Sequence, residues 1–338
     1  MKHKNFSYAK YGYLFCIPFV VIFLIFSLYP LIFTTSIAFT NRSGPNIPGR
    51  EYSILTTTVT TEAGNTIEKL DPFGNFRLLM SNMAFRTSLG NTFMIWGINF
   101  VPQLLLALLL ATWFTSRRSK IKGQGFFKIV FYMPNIITAA SIALLFRALF
   151  GFPLGVVNDT LILLGFIDSP VNFELNTLAS RLVIAFIQFW MWYGYTMLII
   201  IAGIMGINPE MYESAEIDGA NSLQQFFYIT IPNIRTVMLY ILITSLIGGL
   251  NMFDIPRLYS LGGPDGKTQT ISLFIYGQAF EGTYRYNLAS AASLVIFAII
   301  AILSAVIFYI MRDKDAAQLK KMQRSQKRAQ KRERAGVK

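Results

Sequence analysis

Six stretches of this chain run for 18 or more residues without a single Asp, Glu, Lys or Arg. They are residues 11–41, 87–116, 129–146, 182–209, 236–253 and 286–311. A helix of about 20 apolar residues crosses about 30 Å of hydrocarbon, whereas a charge at the bilayer centre costs roughly 2.5–3.5 kcal/mol. The placement of the charges therefore predicts an all-α integral membrane protein with six transmembrane helices.

The composition and the distribution of charge indicate lipid as a partner. The chain is 54% hydrophobic and 14% charged, whereas soluble domains average about 25% charged residues. Eleven of its 30 basic residues lie in the tail 312–338 and five lie in the loop 117–128. A bilayer with a negative inner face explains this clustering, and no base-reading motif accompanies it. We therefore expect the net charge of +13 to contact membrane lipid and not nucleic acid.

Lys and Arg also predict the orientation of the spans. The N-terminus, the loop 117–128 and the tail are basic, and an even number of spans places all three in the cytoplasm. The chain then divides into an N-terminus with the first span (1–41), an extracytoplasmic loop (42–86), a core of five spans (87–311) and a basic cytoplasmic tail (312–338). In the outer loop, the Thr-rich run 56–61 and the turn residues Ala63-Gly64-Asn65 predict a small hairpin.

The sequence offers no residues for catalysis or for a metal site. Cys16 is the only cysteine and His3 the only histidine, so we expect no disulfide, no His-based metal site and no Ser-His-Asp triad. The segment Gly262–Thr268 ends like a phosphate-binding loop. That motif requires a glycine where Leu261 stands, so we expect no ATP site in this chain.

An acidic segment between the fourth and fifth spans breaks the positive-inside pattern. Asn208-Pro209-Glu210 is typical of a helix start, and Asp218-Gly219 is typical of a helix end. Ser222 is expected to cap a second helix that ends before Pro232. Composition alone leaves two interpretations of this short helix-turn-helix, a solvated acidic loop and a docking element for a partner.

The spacing of residues within this segment favours docking. Glu213-Ser214-Ala215 is followed by three residues and Gly219, and then by nine residues and Ile229-Thr230-Ile231-Pro232. This pattern resembles the EAA loop of binding-protein-dependent ABC import permeases, here residues 209–232, with Ser214 where the family has Ala. Small side chains at 214 and 215 allow close approach of a partner, and Glu213 and Glu216 share one face.

Motifs elsewhere between about residues 87 and 311 resemble the sugar branch of that family, and above all the larger permease of maltose-type and multiple-sugar importers. These motifs are Pro134, Gly155-x-x-Asn158, Gly165, Leu261-Gly262-Gly263-Pro264, Thr268, Thr270, Ile275-Tyr276, Ala279-Phe280 and Ala289-Ser290-Ala291. Two positions depart from the family pattern, because Phe146 stands where many members have Trp and Asn287 where many have Gly.

The resemblance implies the permease subunit of an ATP-driven importer for a sugar or oligosaccharide in a bacterial cytoplasmic membrane. It also implies a second related permease, two copies of an ABC ATPase that hold ATP and Mg²⁺, and an extracytoplasmic solute-binding protein. No cofactor is expected in this chain. By the resemblance, the first short helix seats in a cleft of the ATPase, with Glu213, Asp218 and Gly219 as coupling positions beside the small residues Ser214 and Ala215.

Polar and aromatic residues inside spans four and five are the predicted sugar contacts, since transporter substrates bind near the bilayer midplane. In span four they are Gln188, Met191, Trp192 and Tyr195, which share one helix face. In span five they are Ser245 and Gly249, with Asn251 and Asp254 near the outer end. Maltose-type relatives contact sugar around the equivalent positions, although helix packing is an alternative role for any single aromatic. Gly249 would leave space and donate no hydrogen bond.

Other transport functions remain as alternatives. An ion-coupled secondary transporter usually needs acidic residues inside its spans, and the six stretches contain none. A membrane enzyme or scaffold lacks a supporting constellation of residues. Within the ABC class, permeases for glycerol-phosphate, amino acids or peptides remain, and a phosphate substrate would favour basic residues that the mid-span positions lack.

Overall fold

The computed structural model describes residues 9–44, 53–54, 56–60, 66–116, 122–282 and 284–312. Within these ranges the regular structure is helical apart from one hairpin. In chain order the elements are α1 (Ala9–Phe23), α2 (Tyr29–Ala38), β1 (Thr56–Thr60), β2 (Thr66–Leu70), α3 (Gly74–Ser81), α4 (Met83–Thr115), α5 (Gln124–Ile136), α6 (Ala139–Leu149), α7 (Val156–Leu163), α8 (Thr177–Met205), α9 (Pro209–Ile217), α10 (Ser222–Gln225), α11 (Ile231–Asn233), α12 (Arg235–Leu250), α13 (Asp254–Ser260), α14 (Ile271–Phe280) and α15 (Tyr286–Met311). Two π-helical segments, Leu24–Leu28 and Phe226–Thr230, join α1 to α2 and α10 to α11.

The helices confirm the all-α membrane architecture. Among the described residues, five helices are long and apolar enough to cross a bilayer, and a bent pair brings the number to six. The five are Gly12–Ala38, Met83–Thr115, Thr177–Met205, Arg235–Ser260 and Tyr286–Met311. Each overlaps one of the uncharged stretches in the sequence.

The third predicted span, residues 129–146, is not one straight helix. It consists of α5 and α6, which meet at a bend of 91°. Ile137 has extended backbone angles, with φ −72° and ψ 139°, and so ends α5. Pro134 has no N–H for the helix ladder, and the β-branched Ile136, Ile137 and Thr138 lower helix propensity there. The third predicted span is therefore a bent pair of helices, and the uncharged stretch did not reveal the bend.

The predicted hairpin in the loop 42–86 is confirmed. β1 pairs with β2 in antiparallel register, with Thr56 opposite Leu70 and Thr60 opposite Thr66. The turn residues 63–65 lie outside the described residues, as do the basic tail from residue 313 onward and His3. Thr40 and Ile54 form an isolated antiparallel bridge that ties this loop to the end of the first span.

The chain divides into two compact units, and α4, α8, α12 and α15 each contribute to both. The first comprises residues 1–98, 139–187 and 249–299. Its core contains the fully buried Phe85, Tyr259 and Phe274, and the rings of Phe85 and Phe274 meet edge-on at 5.7 Å. The second comprises residues 99–138, 188–248 and 300–338, and its core includes Met197 and Ile234.

Side-chain hydrogen bonds fix the irregular segments of the first unit. Asn75 donates to the carbonyls of Ala38 and Thr40 at 2.8 and 2.9 Å, which satisfies carbonyls left open at the end of α2. Asn287 donates to the side chain of Asn75 at 3.0 Å. Asn287 therefore connects the start of α15, through Asn75, to the end of the first span.

A partly buried polar network holds the loop that carries the Leu-Gly-Gly-Pro motif. Asn91 donates to the carbonyls of Gly266 and Gln269 at 2.9 and 3.0 Å. Arg181 donates to the carbonyl of Lys267 at 2.8 Å and to Asn91 Oδ1 at 2.6 Å. Because Asn91 and Arg181 together bond three backbone carbonyls of this loop, the network rigidifies the segment between α13 and α14.

Candidate coupling and substrate sites

The first short helix begins as its sequence predicts. The Asn208 side chain accepts a hydrogen bond from the Glu210 N–H at 3.1 Å, and Pro209 occupies the first turn. An N-cap of this kind is worth about 1 kcal/mol, and the acid at 210 complements the helix dipole. α9 therefore has a defined start although it is only 9 residues long.

The end of α9 is a Schellman motif built on Gly219, which confirms the predicted break at 218–219. Gly219 has a φ of +79° and donates its N–H to the Glu216 carbonyl at 3.1 Å. The Ala220 N–H donates to the Ala215 carbonyl at 2.8 Å. Glycine adopts this left-handed conformation without the strain of a side chain.

The second helix differs from the sequence prediction in two respects. Its N-cap is Asn221, not Ser222, because Asn221 and Gln224 form a reciprocal capping box with bonds of 2.8 and 2.9 Å. The helix also continues past Pro232 to Asn233. The π-helical turn Phe226–Thr230 widens the ladder just before the proline, and a wider turn relieves the clash of a proline ring with the preceding turn.

A hydrogen bond that the sequence did not reveal joins the two helices. The hydroxyls of Tyr212 in α9 and Thr230 before α11 lie 2.9 Å apart. Thr230 is buried, and Ile234, four residues later, is fully buried in the second unit. The only sequence signal was the polar threonine within the Ile-x-Ile-Pro pattern. The hydrogen bond therefore ties α9 to the segment that leads into α12.

We expect Tyr212→Phe to loosen this joint. Loss of one hydrogen bond costs about 1 kcal/mol, which corresponds to roughly fivefold faster local amide exchange. Hydrogen–deuterium exchange over residues 209–233 measures the change, with Thr230→Val expected to match it. Tyr228→Phe is the control, because the Tyr228 side chain is 80% exposed. Acceleration by Thr230→Val but not by Tyr212→Phe would contradict the proposed joint.

The outer surface of this element combines acids with apolar side chains. Glu213, Ser214, Glu216 and Asp218 are exposed, while Ala215 is half-buried. Large apolar side chains beside them are also exposed, namely Met211, Ile217, Leu223, Phe227 and Tyr228. Several large exposed apolar side chains in one short element are more typical of a protein interaction site than of a solvated loop.

The predicted sugar contacts of span four lie on α8 in the second unit. Met191 is buried, whereas Gln188 and Tyr195 are half-buried and Trp192 is 43% exposed. The rings of Trp192 and Tyr195 meet edge-on with centroids 5.9 Å apart. Ser245, on α12, belongs to the same unit and is half-buried. Trp192 and Tyr195 thus form a partly accessible aromatic pair, while Met191 packs into the core.

The remaining predicted contacts belong to the first unit. Asn251 and Asp254 are exposed beyond the end of α12. The space that Gly249 was expected to leave is occupied by the indole of Trp96. A Cβ added to Gly249 would lie 2.6 Å from Nε1 and 2.7 Å from Cγ of that ring. Trp96 was missed by sequence reasoning, because nothing local to it indicates a glycine partner so distant in the chain.

Two further packing contacts in the second unit lie inside predicted spans and were also missed. Gly194 lies against the backbone of α5, since an added Cβ would be 2.7 Å from the carbonyl carbon of Phe131 and 2.9 Å from Cα of Tyr132. Gln103 donates to the Thr196 hydroxyl at 2.8 Å, and both side chains are buried. The signal for the second contact was a glutamine in an otherwise apolar stretch.

The apolar spans and the exposed helix-turn-helix define a polytopic membrane protein. Residues 85–314 match the family described as binding-protein-dependent transport system inner membrane component. The lactose transport system permease protein of Rhizobium radiobacter is 30% identical over 91% of this chain and 96% of that protein. The arabinooligosaccharides transport system permease protein of Bacillus subtilis is 28% identical over 90% of each chain. This chain therefore belongs to the binding-protein-dependent inner membrane component family.

A solved structure has the same fold. It is a bacterial ABC transporter described as involved in the import of the acidic polysaccharide alginate. One of its chains superimposes with a TM-score of 0.71 at 24% identity, covering 90% of this chain and 95% of that one. The helical arrangement is thus that of an ABC transporter permease.

Proposed function

We propose that this chain is the permease subunit of an ATP-driven ABC importer for a sugar or oligosaccharide. The observation that carries the proposal is the α9–Gly219–α10 element, a capped helix with exposed acidic and apolar side chains and the spacing of the EAA loop. The relatives named for lactose and for arabino-oligosaccharides support the substrate class. Family membership supports delivery of the substrate by a binding protein.

The distribution of basic residues supports an orientation in a bacterial cytoplasmic membrane. Both termini and the α9–Gly219–α10 element lie in the cytoplasm, and the hairpin β1–β2 lies outside. A second related permease completes the translocation path. Two copies of an ABC ATPase bind ATP and Mg²⁺ below it, and this chain contributes neither a catalytic residue nor a nucleotide site.

In this mechanism the ATPase binds α9, and the contact residues are Glu213, Ser214, Ala215 and Asp218. Closure of the ATPases on ATP displaces α9, and the Schellman turn at Gly219 keeps the helix short and fixed in direction. The Tyr212–Thr230 hydrogen bond then passes the displacement to α11 and the start of α12. The spans respond by changing from inward-open to outward-open.

The substrate positions are the accessible residues of spans four and five. Trp192 and Tyr195 present aromatic faces that suit the apolar faces of a sugar ring, and Gln188 and Ser245 suit its hydroxyls. Met191 supports them from the core. Near the outer end of α12, Asn251 and Asp254 are exposed, and their side chains can hydrogen-bond sugar hydroxyls.

The proposal is tested by purifying the tagged chain from its native membranes. We expect an ABC ATPase and a second, related permease to co-purify. The complex is then reconstituted in proteoliposomes together with its binding protein. One of a panel of labelled sugars should accelerate ATP hydrolysis and be taken up into the vesicles. The panel is lactose, maltose, arabinotriose and an alginate oligosaccharide, with glycerol-phosphate, an amino acid mixture and a dipeptide as the alternative substrates.

Each result has a distinct meaning. Co-purification with sugar-stimulated turnover supports the proposal in full. Co-purification with stimulation only by glycerol-phosphate, amino acids or the dipeptide would keep the importer and overturn the sugar. A chain that purifies intact without any ATPase would overturn the importer and favour ion-coupled transport.

A further inference from the structure

The close contact between α4 and α12 in the first unit is a glycine against an indole. An added Cβ at Gly249 would overlap Cδ1, Nε1 and Cγ of Trp96, all at distances that real Cβ atoms do not show. Residue 249 is therefore restricted to glycine as long as the ring stays where it is. The neighbouring Gly248 is different, since an added Cβ there meets nothing within 4 Å.

Trp96 lies on the polar face of an otherwise apolar span. Thr92, Asn99 and Gln103 are buried polar residues of α4, and with Trp96 they occupy positions i, i+4, i+7 and i+11 of one helix face. Polar side chains inside a span face the protein interior or a water-filled path, so this face of α4 is turned away from lipid. Trp96 itself is half-buried, so part of its surface is accessible.

A tryptophan in this setting has the chemistry of a sugar platform. Its rigid apolar face is large, and stacking needs no flexible side chain to be ordered. Gly249 has no side chain that could hydrogen-bond a sugar. A sugar bound beside it would therefore be recognised by the indole ring of Trp96. The size of the indole also sets how much room remains in the path.

We propose that Trp96, seated on Gly249, is a specificity-determining residue of the translocation path, where its ring stacks on a sugar and limits the size of sugar that passes. This inference rests on the proposed function, because it assigns a further residue to sugar recognition. It adds span two to the predicted contacts, which came only from spans four and five.

The geometry is tested first with two alanine variants of adjacent glycines. Gly249→Ala should force the indole out of its seat and lower sugar uptake by the purified complex by about tenfold or more, equivalent to about 1.4 kcal/mol. Gly248→Ala adds the same methyl group one residue earlier and should stay within about twofold of wild type, well below that tenfold loss. The double variant Trp96→Ala/Gly249→Ala should recover to the level of Trp96→Ala, since the clash is then gone.

Sugar contact is tested by selectivity, which a purely structural role would not change. Uptake is measured for the two panel sugars that the wild-type complex carries best. Trp96→Ala should shift their ratio by about tenfold in favour of the bulkier sugar, the scale on which changes in pocket volume act. Trp96→Phe should retain most of the wild-type ratio. ATPase co-purification and basal ATP turnover establish that each variant is assembled.

The outcomes separate this inference from the proposed function. If the wild-type complex carries no sugar, the proposed function fails and the inference fails with it. If wild type carries sugar but Trp96→Ala keeps the same ratio, or Gly249→Ala behaves like Gly248→Ala, the inference alone is overturned. A changed ratio together with recovery in the double variant supports both.

Discussion

Changing Gly219 to proline is expected to remove the ATPase from the purified complex and abolish ATP-driven uptake. Gly219 has a φ of +79°, whereas proline fixes φ near −65°. Proline would also remove the N–H that donates to the Glu216 carbonyl. The turn cannot form, at a cost of about 3 kcal/mol or more. Glu213 and Asp218 would then no longer be presented together, and the pull-down measures the result directly.

Gly165→Pro is the matched control, because the same motif ends α7. Gly165 has a φ of +72°, and its N–H donates to the Ile162 carbonyl at 3.0 Å. The next N–H, of Phe166, donates to the Leu161 carbonyl at 2.9 Å, as Ala220 does to Ala215. The two variants therefore damage equivalent turns. Retention of the ATPase by Gly165→Pro, with loss from Gly219→Pro, would assign the effect to docking.

Equal loss of the ATPase in both variants would indicate general misfolding and contradict a specific docking role. Retention in both would show that the ATPase binds elsewhere. Amounts of folded protein are compared by size-exclusion chromatography before each pull-down, so that the ATPase signal is expressed per folded chain.

Changing Gly194 to alanine is expected to destabilise the second unit by about 3 kcal/mol, the upper end of the usual overpacking range. The new methyl group would meet the backbone of Phe131 and Tyr132 at 2.7 and 2.9 Å. Backbone atoms cannot rotate away as a side chain can, so α5 and α8 must separate. Thermal unfolding in detergent, followed by the monodisperse fraction after heating, measures the loss.

Gly90→Ala provides the comparison, since an added Cβ there meets nothing within 4 Å. Alanine is favoured over glycine inside a helix by roughly 0.5–1 kcal/mol, so this variant should be as stable as wild type or more stable. If Gly194→Ala were as stable as Gly90→Ala, the close approach of α5 and α8 would be wrong.

Sequence reasoning succeeded where the signal was local. Charge spacing predicted the spans, because lipid excludes charge along the whole length of a helix. The Asn208-Pro209 start and the Gly219 end of α9 followed from capping chemistry confined to a few residues. The Thr-rich hairpin was predicted for the same reason, since turn residues and β-branched residues lie side by side in the chain.

Reasoning from the sequence failed where two neighbouring residues were equally suitable as a helix cap. It also failed where the structure depends on contacts between residues far apart in the chain. Asn221 and Ser222 are both good caps, and Gln224 selects Asn221 through the reciprocal bond. An uncharged stretch does not show whether the helix within it is straight or bent. The charge pattern therefore could not predict the bend at residues 137–138. The contacts of Gly194 with Phe131, and of Gly249 with Trp96, join residues far apart in the chain.

The seating of Trp96 on Gly249 restricts how this permease can diverge. A side chain at position 249 is tolerated only after the indole has been replaced, and loss of the indole first leaves a void. Substitutions at the two positions should therefore covary among relatives, with a smaller residue at 96 wherever 249 carries a side chain. Adaptation to a new sugar would therefore require a substitution at position 96 before one at position 249.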